Sequence, residues 1–239
     1  MGNSARPFFL FSFSITMNHM YSHSVFIFRR DLRVIDNTAL ITALKQSKQV
    51  SPVFIFDPRQ IKDHPYKSSF GLRFMLESLV DLKQQISDKK GVLNFYHKLP
   101  HKVIEHLIQK SKVDAVFVNG DYTLFSQKRD AAIRTVCEKH EVVFKKFHDA
   151  LLNHPGTVKK NDGGVYTVYT PYMRRALAEK IAVPEKSVPS SFSKKALPGS
   201  DAKLLDKLLK DAPKGVVPGG RAECLKILRS IKKFKNYDS

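Results

Sequence analysis

At 239 residues the chain can bury a core, and its hydrophobic (42%) and charged (26%) fractions are ordinary for a soluble globular protein. Its 41 Lys and Arg against 22 Asp and Glu leave a formal charge of +19, which favours polyanions such as nucleic acid. A basic surface that only keeps the protein soluble is the alternative. The two cysteines, Cys137 and Cys224, form no CxxC, which argues against a disulfide framework or cysteine metal site and favours a cytoplasmic location.

Residues 1–20 are expected to be a leader outside the folded domain. Residues 7–17 are apolar, but only Arg6 precedes them and no small-x-small cleavage site follows. The run is also too short to span a bilayer, so no membrane association is expected. An export signal is the less favoured alternative.

From residue 21 onward, strand-like and helical patterns alternate up to about residue 150. Strands are predicted at residues 24–28, 50–56, 92–96, 114–119 and 141–147. Helices are predicted at residues 38–47, 69–87, 101–111 and 126–140. Runs such as SVFIF are apolar throughout, as in strands that helices cover on both faces. This alternation predicts an α/β fold with a doubly wound, five-stranded parallel sheet of the Rossmann-like kind.

The helical patterns carry their own signals. Asp36 or Asn37 is expected to cap the first helix. In the long second helix, apolar residues recur every three to five positions and predict one buried stripe. That stripe consists of Phe70, Phe74, Leu79, Leu82 and Ile86.

Beyond residue 150 the pattern becomes loop-rich, with four prolines and a serine cluster, and residues 151–217 are expected to be an interdomain linker lying over the domain. A short helix is predicted at residues 202–210. Residues 221–234 predict a terminal amphipathic helix within a segment, residues 218–239, that begins a further domain. The side chains expected to face inward are Cys224, Leu225, Ile227, Leu228 and Ile231.

Ligands of open α/β sheets bind beyond the carboxyl ends of the strands, which directs attention to four loops. The first loop holds Arg29, Arg30, Asp31 and Arg33, which either bind an anionic ligand or clamp the loop structurally. The second loop leads to His64 and Tyr66. The fourth strand ends in Asn119, Gly120, Asp121 and Tyr122, where Asp121 could accept hydrogen bonds from a ligand or simply form a turn. The sequence contains neither GxGxxG nor GxxxxGK[ST], which excludes the common phosphate-binding loops, and no residue pattern indicates a protein catalyst.

Residues 28–40 (FRRDLRVIDNTAL) resemble the opening signature of the photolyase/cryptochrome family, which reads roughly FRRDLRxxDNxAL. Further similar segments follow in order: VFIFDPR at residues 53–59, FMLESLVDL at residues 74–82, the segment that ends in Arg129-Asp130, and YTVYTPY at residues 166–172. The last similar segment runs from Pro218-Gly219-Gly220 towards Tyr237. The resemblance covers residues 24–237 and concerns the amino-terminal α/β domain of the family.

The resemblance implies light-driven repair of ultraviolet pyrimidine dimers, or signalling, by a FAD bound in a carboxy-terminal helical domain. It also implies that the α/β domain holds an antenna chromophore, either a folate or a deazaflavin. FAD is expected only in a domain missing from this chain or in a partner chain. Together with that partner, and through its basic charge, the chain could contact DNA. On this reading the chain resembles part of a deoxyribodipyrimidine photolyase that is inactive alone.

The resemblance suggests five residues for the chromophore pocket: Phe54, Phe56, His64, Arg73 and Asp121. His64 falls where folate-type members place a His against the pterin, although their Asn-Glu pair is replaced here by Phe125-Ser126. Asp121 aligns with the Asp that deazaflavin-type members use. Their arginine at the start of the long helix falls at Gly71, and Arg73 is close by.

Three hypotheses remain open from the sequence. The chain is the first half of a photolyase that works with a separate FAD-domain chain. Alternatively, it is a stand-alone nucleotide- or pterin-binding module without repair activity, or a remnant with no present activity. The predicted apolar face of the terminal helix favours a missing partner.

Overall fold

The computed structural model describes residues 21–61, 67–154, 156–181, 183–186, 188–215 and 217–234. The predicted leader, His64 and Tyr66 therefore lie outside the described residues. The strands are β1 (Tyr21–Phe28), β2 (Ser47–Ile55), β3 (Asn94–Tyr96), β4 (Ala115–Asn119) and β5 (Val143–Phe147). The helices are α1 (Thr38–Gln46), α2 (Pro58–Ile61), α3 (Ser69–Asp88), α4 (Pro100–Ser111), α5 (Leu124–Lys139), α6 (Tyr169–Ala178), α7 (Leu204–Asp211) and α8 (Arg221–Arg229), followed by a 3₁₀ turn (Ile231–Phe234).

The five strands form one parallel sheet in the order β3-β2-β1-β4-β5. Successive side chains of β1 point to opposite faces. Phe26 and Phe28 join a cluster with α1, α3 and α7, whereas Val25 and Ile27 join a cluster with α4 and α5. Helices therefore cover both faces, and the predicted doubly wound α/β fold is confirmed.

A buried polar cluster joins the ends of β1 and β4 to the start of α1. Asn119 donates from Nδ2 to Asp31 Oδ2 (2.5 Å) and to Asn37 Oδ1 (2.8 Å), and its Oδ1 accepts from the Ala39 N–H (3.1 Å). Asn37 also caps α1, since its Oδ1 accepts from the Leu40 N–H. Every amide atom of Asn119 thus has a partner, which is what burial of a polar side chain requires.

Helix α3 only partly follows the predicted apolar stripe. Leu79, Leu82 and Ile86 are fully buried, but Phe70 and Phe74 are 57% and 48% exposed. Their placement in the stripe was wrong, because at about 3.6 residues per turn they fall on the side of α3 opposite to its buried residues. The buried face instead runs through Leu72, Leu76, Leu79, Leu82 and Ile86. Apolar spacing alone did not show which face of the first turns packs on the core.

The segment after β5 contains more structure than a loop-rich linker. It forms α6, and its later part returns to the sheet beside β2, where Ser191 O accepts from the Val50 N–H (2.8 Å) and the Ser193 N–H donates to Val50 O (2.7 Å). Phe192 is 5% exposed between these residues. A Cβ at Gly91 would lie 2.8 Å from Phe192 Cβ, so Gly91 is needed for this close approach.

Helix α8 is attached through the backbone at its start. The N–H groups of Gly219, Gly220 and Arg221 donate to Glu77 Oε2, Ser78 Oγ and Asp81 Oδ2 of α3, at 2.8 to 3.0 Å. Its side chains are not buried, and the prediction that its apolar face points inward was wrong. Leu225, Ile227, Leu228 and Ile231 are 38% to 57% exposed, and Cys224 is also exposed.

The Asn119 cluster makes a stability prediction. Asn119→Ala should lower the free energy of unfolding by about 2 to 3 kcal/mol, because Asp31, Asn37 and the Ala39 N–H would all lose a buried partner. Urea unfolding monitored by circular dichroism measures the change. The exposed Asn161→Ala is the matched control and should change stability by less than about 0.5 kcal/mol. Equal stability of the two variants would contradict the importance of the cluster.

Candidate functional site

A cavity of about 530 Å³ lies at the carboxyl ends of β1, β2 and β4. It lies where the strand order reverses, because the connection from β1 leads to α1 on one face and the connection from β4 leads to α5 on the other. Open α/β sheets bind ligands in this crevice.

One wall of the cavity is apolar and largely aromatic. Phe54 and Phe56 of the second strand region lie edge to face, with ring centroids 4.9 Å apart. Flat, weakly polar groups pack well against such a surface. The side chains that form this wall include Phe28, Phe54, Phe56, Ile61, Leu72 and Met75.

The opposite wall is polar and is built by the loops after β1 and β4 and by α5. Asp121 Oδ1 accepts from the N–H groups of Tyr122 (2.6 Å) and Thr123 (3.2 Å). Burial raises the pKa of Asp121, but these backbone hydrogen bonds and the nearby Arg30 outweigh it and hold the pKa below its usual value. The carboxylate is therefore ionised at neutral pH and can only accept hydrogen bonds.

Most arginines of the first loop are occupied by the protein itself. Arg29 forms a bidentate pair with Asp130, at 2.7 and 3.2 Å, and also donates to Asn119 O. Arg33 pairs with Asp149 at 2.8 Å. The structural-clamp interpretation is therefore correct for these two residues, although the partners lie on distant elements. Arg30 is different, since its side chain is 84% exposed and only 3.7 Å from Asp121 Oδ2.

Asp57 is a cavity residue that the sequence showed only as the end of a strand. Its side chain is 1% exposed and forms two hydrogen bonds with Arg59, from Nε (2.9 Å) and Nη2 (2.5 Å). Burial disfavours the charged carboxylate, but these contacts outweigh burial and lower the pKa of Asp57. The pair is internally neutral, so it shapes the cavity without adding net charge.

Of the five predicted pocket residues, the structure brings together Phe54, Phe56 and Asp121 around the cavity. Arg73 is not among the lining residues. Its guanidinium donates to Glu77 Oε1 (2.5 Å) and to Leu209 O (3.1 Å), between α3 and α7. Gly71, two residues earlier, lines the cavity instead. Two residues are about half a turn of a helix, which is enough to separate the two environments.

Arg129 and Phe125 of α5 are lining residues that the sequence analysis did not select. The helical spacing of the sequence could have indicated Arg129 as a lining residue. Ser126, Arg129 and Ile133 are spaced by three and four residues and share one face of α5, on which Ser126 and Ile133 are buried. Phe125 contacts two cations, with the Cζ atoms of Arg59 and Arg129 at 4.9 and 5.9 Å from its ring centroid.

Two further classes of site were considered for the described residues. No group of three or more His, Cys, Asp or Glu side chains in this part of the chain could hold a metal ion. None of the helices within the described ranges combines the length and the apolarity that a membrane crossing requires.

Comparison with known proteins relates this fold and cavity to one family. The family model described as DNA photolyase matches residues 24–190. The deoxyribodipyrimidine photo-lyase of Halobacterium salinarum is 30% identical over 160 residues, which are 63% of this chain and 33% of that protein. The corresponding protein of Alkalihalophilus pseudofirmus is 28% identical over 216 residues, covering 88% of this chain and 40% of its own length.

A solved structure gives the same relation. The crystal structure of the archaeal photolyase from Sulfolobus tokodaii with two FAD molecules, which implicates a novel light-harvesting cofactor, is 37% identical with a TM-score of 0.75. The match covers 86% of this chain and 46% of that one. The chain thus spans less than half the length of each of these three proteins. Since the family model covers more than half of the sequence, the chain belongs to the DNA photolyase family.

Proposed function

We propose that this chain is the light-antenna portion of a photolyase or cryptochrome-like protein, and that its cavity binds a planar chromophore. The bound chromophore would pass its excitation to a FAD carried by a helical portion, and the two portions together would split ultraviolet pyrimidine dimers. The observation that carries the proposal is the cavity of about 530 Å³ with an aromatic wall at the switch point of the sheet.

The cavity has the properties of a small-molecule site. Its volume falls within the range of roughly 300 to 1,000 Å³ that is usual for ligand pockets. The apolar wall suits the face of a flat heterocycle, while Asp121, Thr123 and Ser126 offer polar groups that can orient its edge. Light absorption belongs to the chromophore, so the chain's part is to hold it in a fixed position and to exclude water.

We propose a flavin-type chromophore for this cavity. A folate, a deazaflavin and a flavin all have a planar ring system. The 37% identity to a photolyase whose crystal structure holds two FAD molecules favours a flavin-type ring. Gly71, which lines the cavity, stands where deazaflavin-type members carry an arginine. The described residues do not include His64, the position that favoured a folate.

The partner is proposed to be the helical FAD portion, in the same protein or in a separate chain. Large apolar side chains on both α6 and α8 are exposed, including Tyr169, Leu177, Leu225 and Leu228 at 38% to 72%. Exposed apolar surface of this kind is typical of interfaces. DNA would be contacted mainly through that partner, aided by the net charge of +19.

A stand-alone ligand-binding module is the second candidate function. It is favoured by a relative from Synechococcus sp. of only 31.6 kDa, described as an uncharacterized protein, which is 29% identical over 164 residues, or 57% of its own length. Tight chromophore binding without any FAD-binding partner would favour this second function.

Filling the cavity tests the proposed site. Gly71→Phe should weaken flavin or deazaflavin binding at least about tenfold, because an aromatic ring would occupy space that the ligand needs. Fluorescence titration measures binding, and thermal unfolding confirms that the variant folds. Ser69→Phe is the matched control, since Ser69 is exposed on the same helix turn and does not line the cavity. Unchanged binding in the Gly71→Phe variant would refute this location.

The dependence on a second portion gives another prediction. The lone 239-residue chain should not split thymine dimers under blue light, since the FAD that donates the electron is proposed to lie in the helical portion. Its chromophore should also dissociate during gel filtration, because part of the wall that encloses it is proposed to come from the partner. Light-dependent loss of dimers above a dark control would refute the first expectation. Chromophore absorbance that stays with the protein peak would contradict the second.

A further inference from the structure

The surroundings of Arg129 contain more positive charge than their protein partners balance. Arg29 binds both oxygens of Asp130, at 2.7 and 3.2 Å. The Nε of Arg129 shares one of these oxygens, Asp130 Oδ1, at a longer 3.3 Å. The guanidinium groups of Arg29 and Arg129 therefore share the single carboxylate of Asp130. These three groups together carry a net charge of about +1 at the cavity wall.

The other carboxylates of the cavity do not remove this excess. Asp57 forms two hydrogen bonds with Arg59, and Asp121 binds two backbone N–H groups and faces Arg30. Each acid that lines the cavity thus already has a cation of its own. The excess charge stays with Arg129, whose side chain is only 10% exposed.

Arg129 also has an unused donor. Its Nη2 is buried and has no hydrogen-bond partner, in contrast to Arg29, whose terminal nitrogens both donate to protein oxygens. A buried guanidinium nitrogen without an acceptor is costly, because water no longer solvates it. Burial and the neighbouring Arg29 accordingly lower the pKa of Arg129, against the attraction of Asp130 and Asp121.

We infer that Arg129 is a ligand-binding residue of this cavity, and that its terminal nitrogens bind an anionic oxygen of the occupant. The inference rests on the proposed chromophore site and specifies the class of ligand as a planar ring that carries a negatively charged or strongly accepting oxygen. That oxygen belongs either to a phosphate on the ligand's side chain or to the ring itself. A ligand oxygen at this position would provide both the missing acceptor and the missing negative charge.

Phe125 lies next to this arginine. Its ring is half-buried, lines the cavity and lies 5.9 Å from Arg129 Cζ. In the empty cavity the ring partly compensates the cation by a cation–π contact, which is weaker than an ion pair. A small displacement of the ring, or rotation of the guanidinium about its terminal bonds, exposes Nη2 to the ligand.

Paired variants and paired ligands test the inference. Arg129→Met keeps most of the packing volume and should weaken binding of FMN roughly 10- to 100-fold, as expected for loss of a charge-assisted hydrogen bond. Arg129→Lys keeps the positive charge but loses the forked guanidinium, so its affinity for FMN should fall between those of the wild type and Arg129→Met. Arg134→Met is the control, because Arg134 is exposed on the same helix and does not line the cavity.

Riboflavin, which lacks the phosphate of FMN, distinguishes the two sources of the oxygen. If Arg129 binds the phosphate, the wild-type chain should prefer FMN over riboflavin, and Arg129→Met should abolish this preference. If Arg129 binds a ring oxygen, Arg129→Met should weaken the binding of FMN and of riboflavin by the same factor. Titrations in buffer free of phosphate and sulfate measure both affinities.

Stability separates a ligand-binding role from a structural one. Removing an uncompensated buried charge should leave the thermal midpoint of the ligand-free chain unchanged or raise it. The increase in midpoint that saturating FMN causes in the wild type should shrink in Arg129→Met. A large loss of ligand-free stability would show that Arg129 is structural and would overturn the inference.

The remaining outcomes separate this inference from the proposed function. Wild-type binding of flavin that Arg129→Met leaves intact overturns the inference alone. If the wild type binds no flavin but inorganic phosphate raises its midpoint, and Arg129→Met removes that effect, the chromophore function fails while the anion site stands. If neither flavin nor phosphate acts on the wild type, both proposals fail.

Discussion

The chain leaves β1 towards one face of the sheet and leaves β4 towards the other, although the two strands are hydrogen-bonded neighbours. Because the two connections diverge to opposite faces, neither covers the space between the carboxyl ends of β1 and β4, and a crevice forms there. The Asn119 cluster keeps the gap in a fixed shape, since its amide joins the end of β4 to Asp31 and to Asn37. The cavity at these strand ends is therefore a consequence of strand order, and the Asn119 cluster lies beside it.

Charge is distributed unevenly around that crevice. Asp57, Asp121 and Asp130 each have an arginine partner, and the Arg29–Asp130 pair joins β1 to α5 across 101 residues of sequence. Structural pairs of this kind use the carboxylates that would otherwise neutralise Arg129. The same contacts that hold the walls together thus leave one cation on the polar wall, opposite the apolar one, which is a combination suited to a ring with an anionic group.

Much of the fold was predictable because it depends on local patterns. Continuous apolar runs indicated strands covered on both faces, and the cap of α1 was predictable from Asn37. The aromatic wall was partly predictable too, since Phe54 and Phe56 are two residues apart and must share a face of an extended strand. The rule that open α/β sheets bind ligands beyond the carboxyl ends of their strands then indicated which end of the sheet carries the site.

The sequence by itself determined the α/β class, the order of strands and helices along the chain, and the apolar character of the site. Only the tertiary structure decided which arginine pairs with which acid, that Gly71 rather than Arg73 lines the cavity, and that the apolar face of α8 is exposed. The physical reason is range. Strand and helix patterns arise from neighbours within a few residues, whereas ion pairing and burial depend on groups that are brought together from 80 to 140 residues apart.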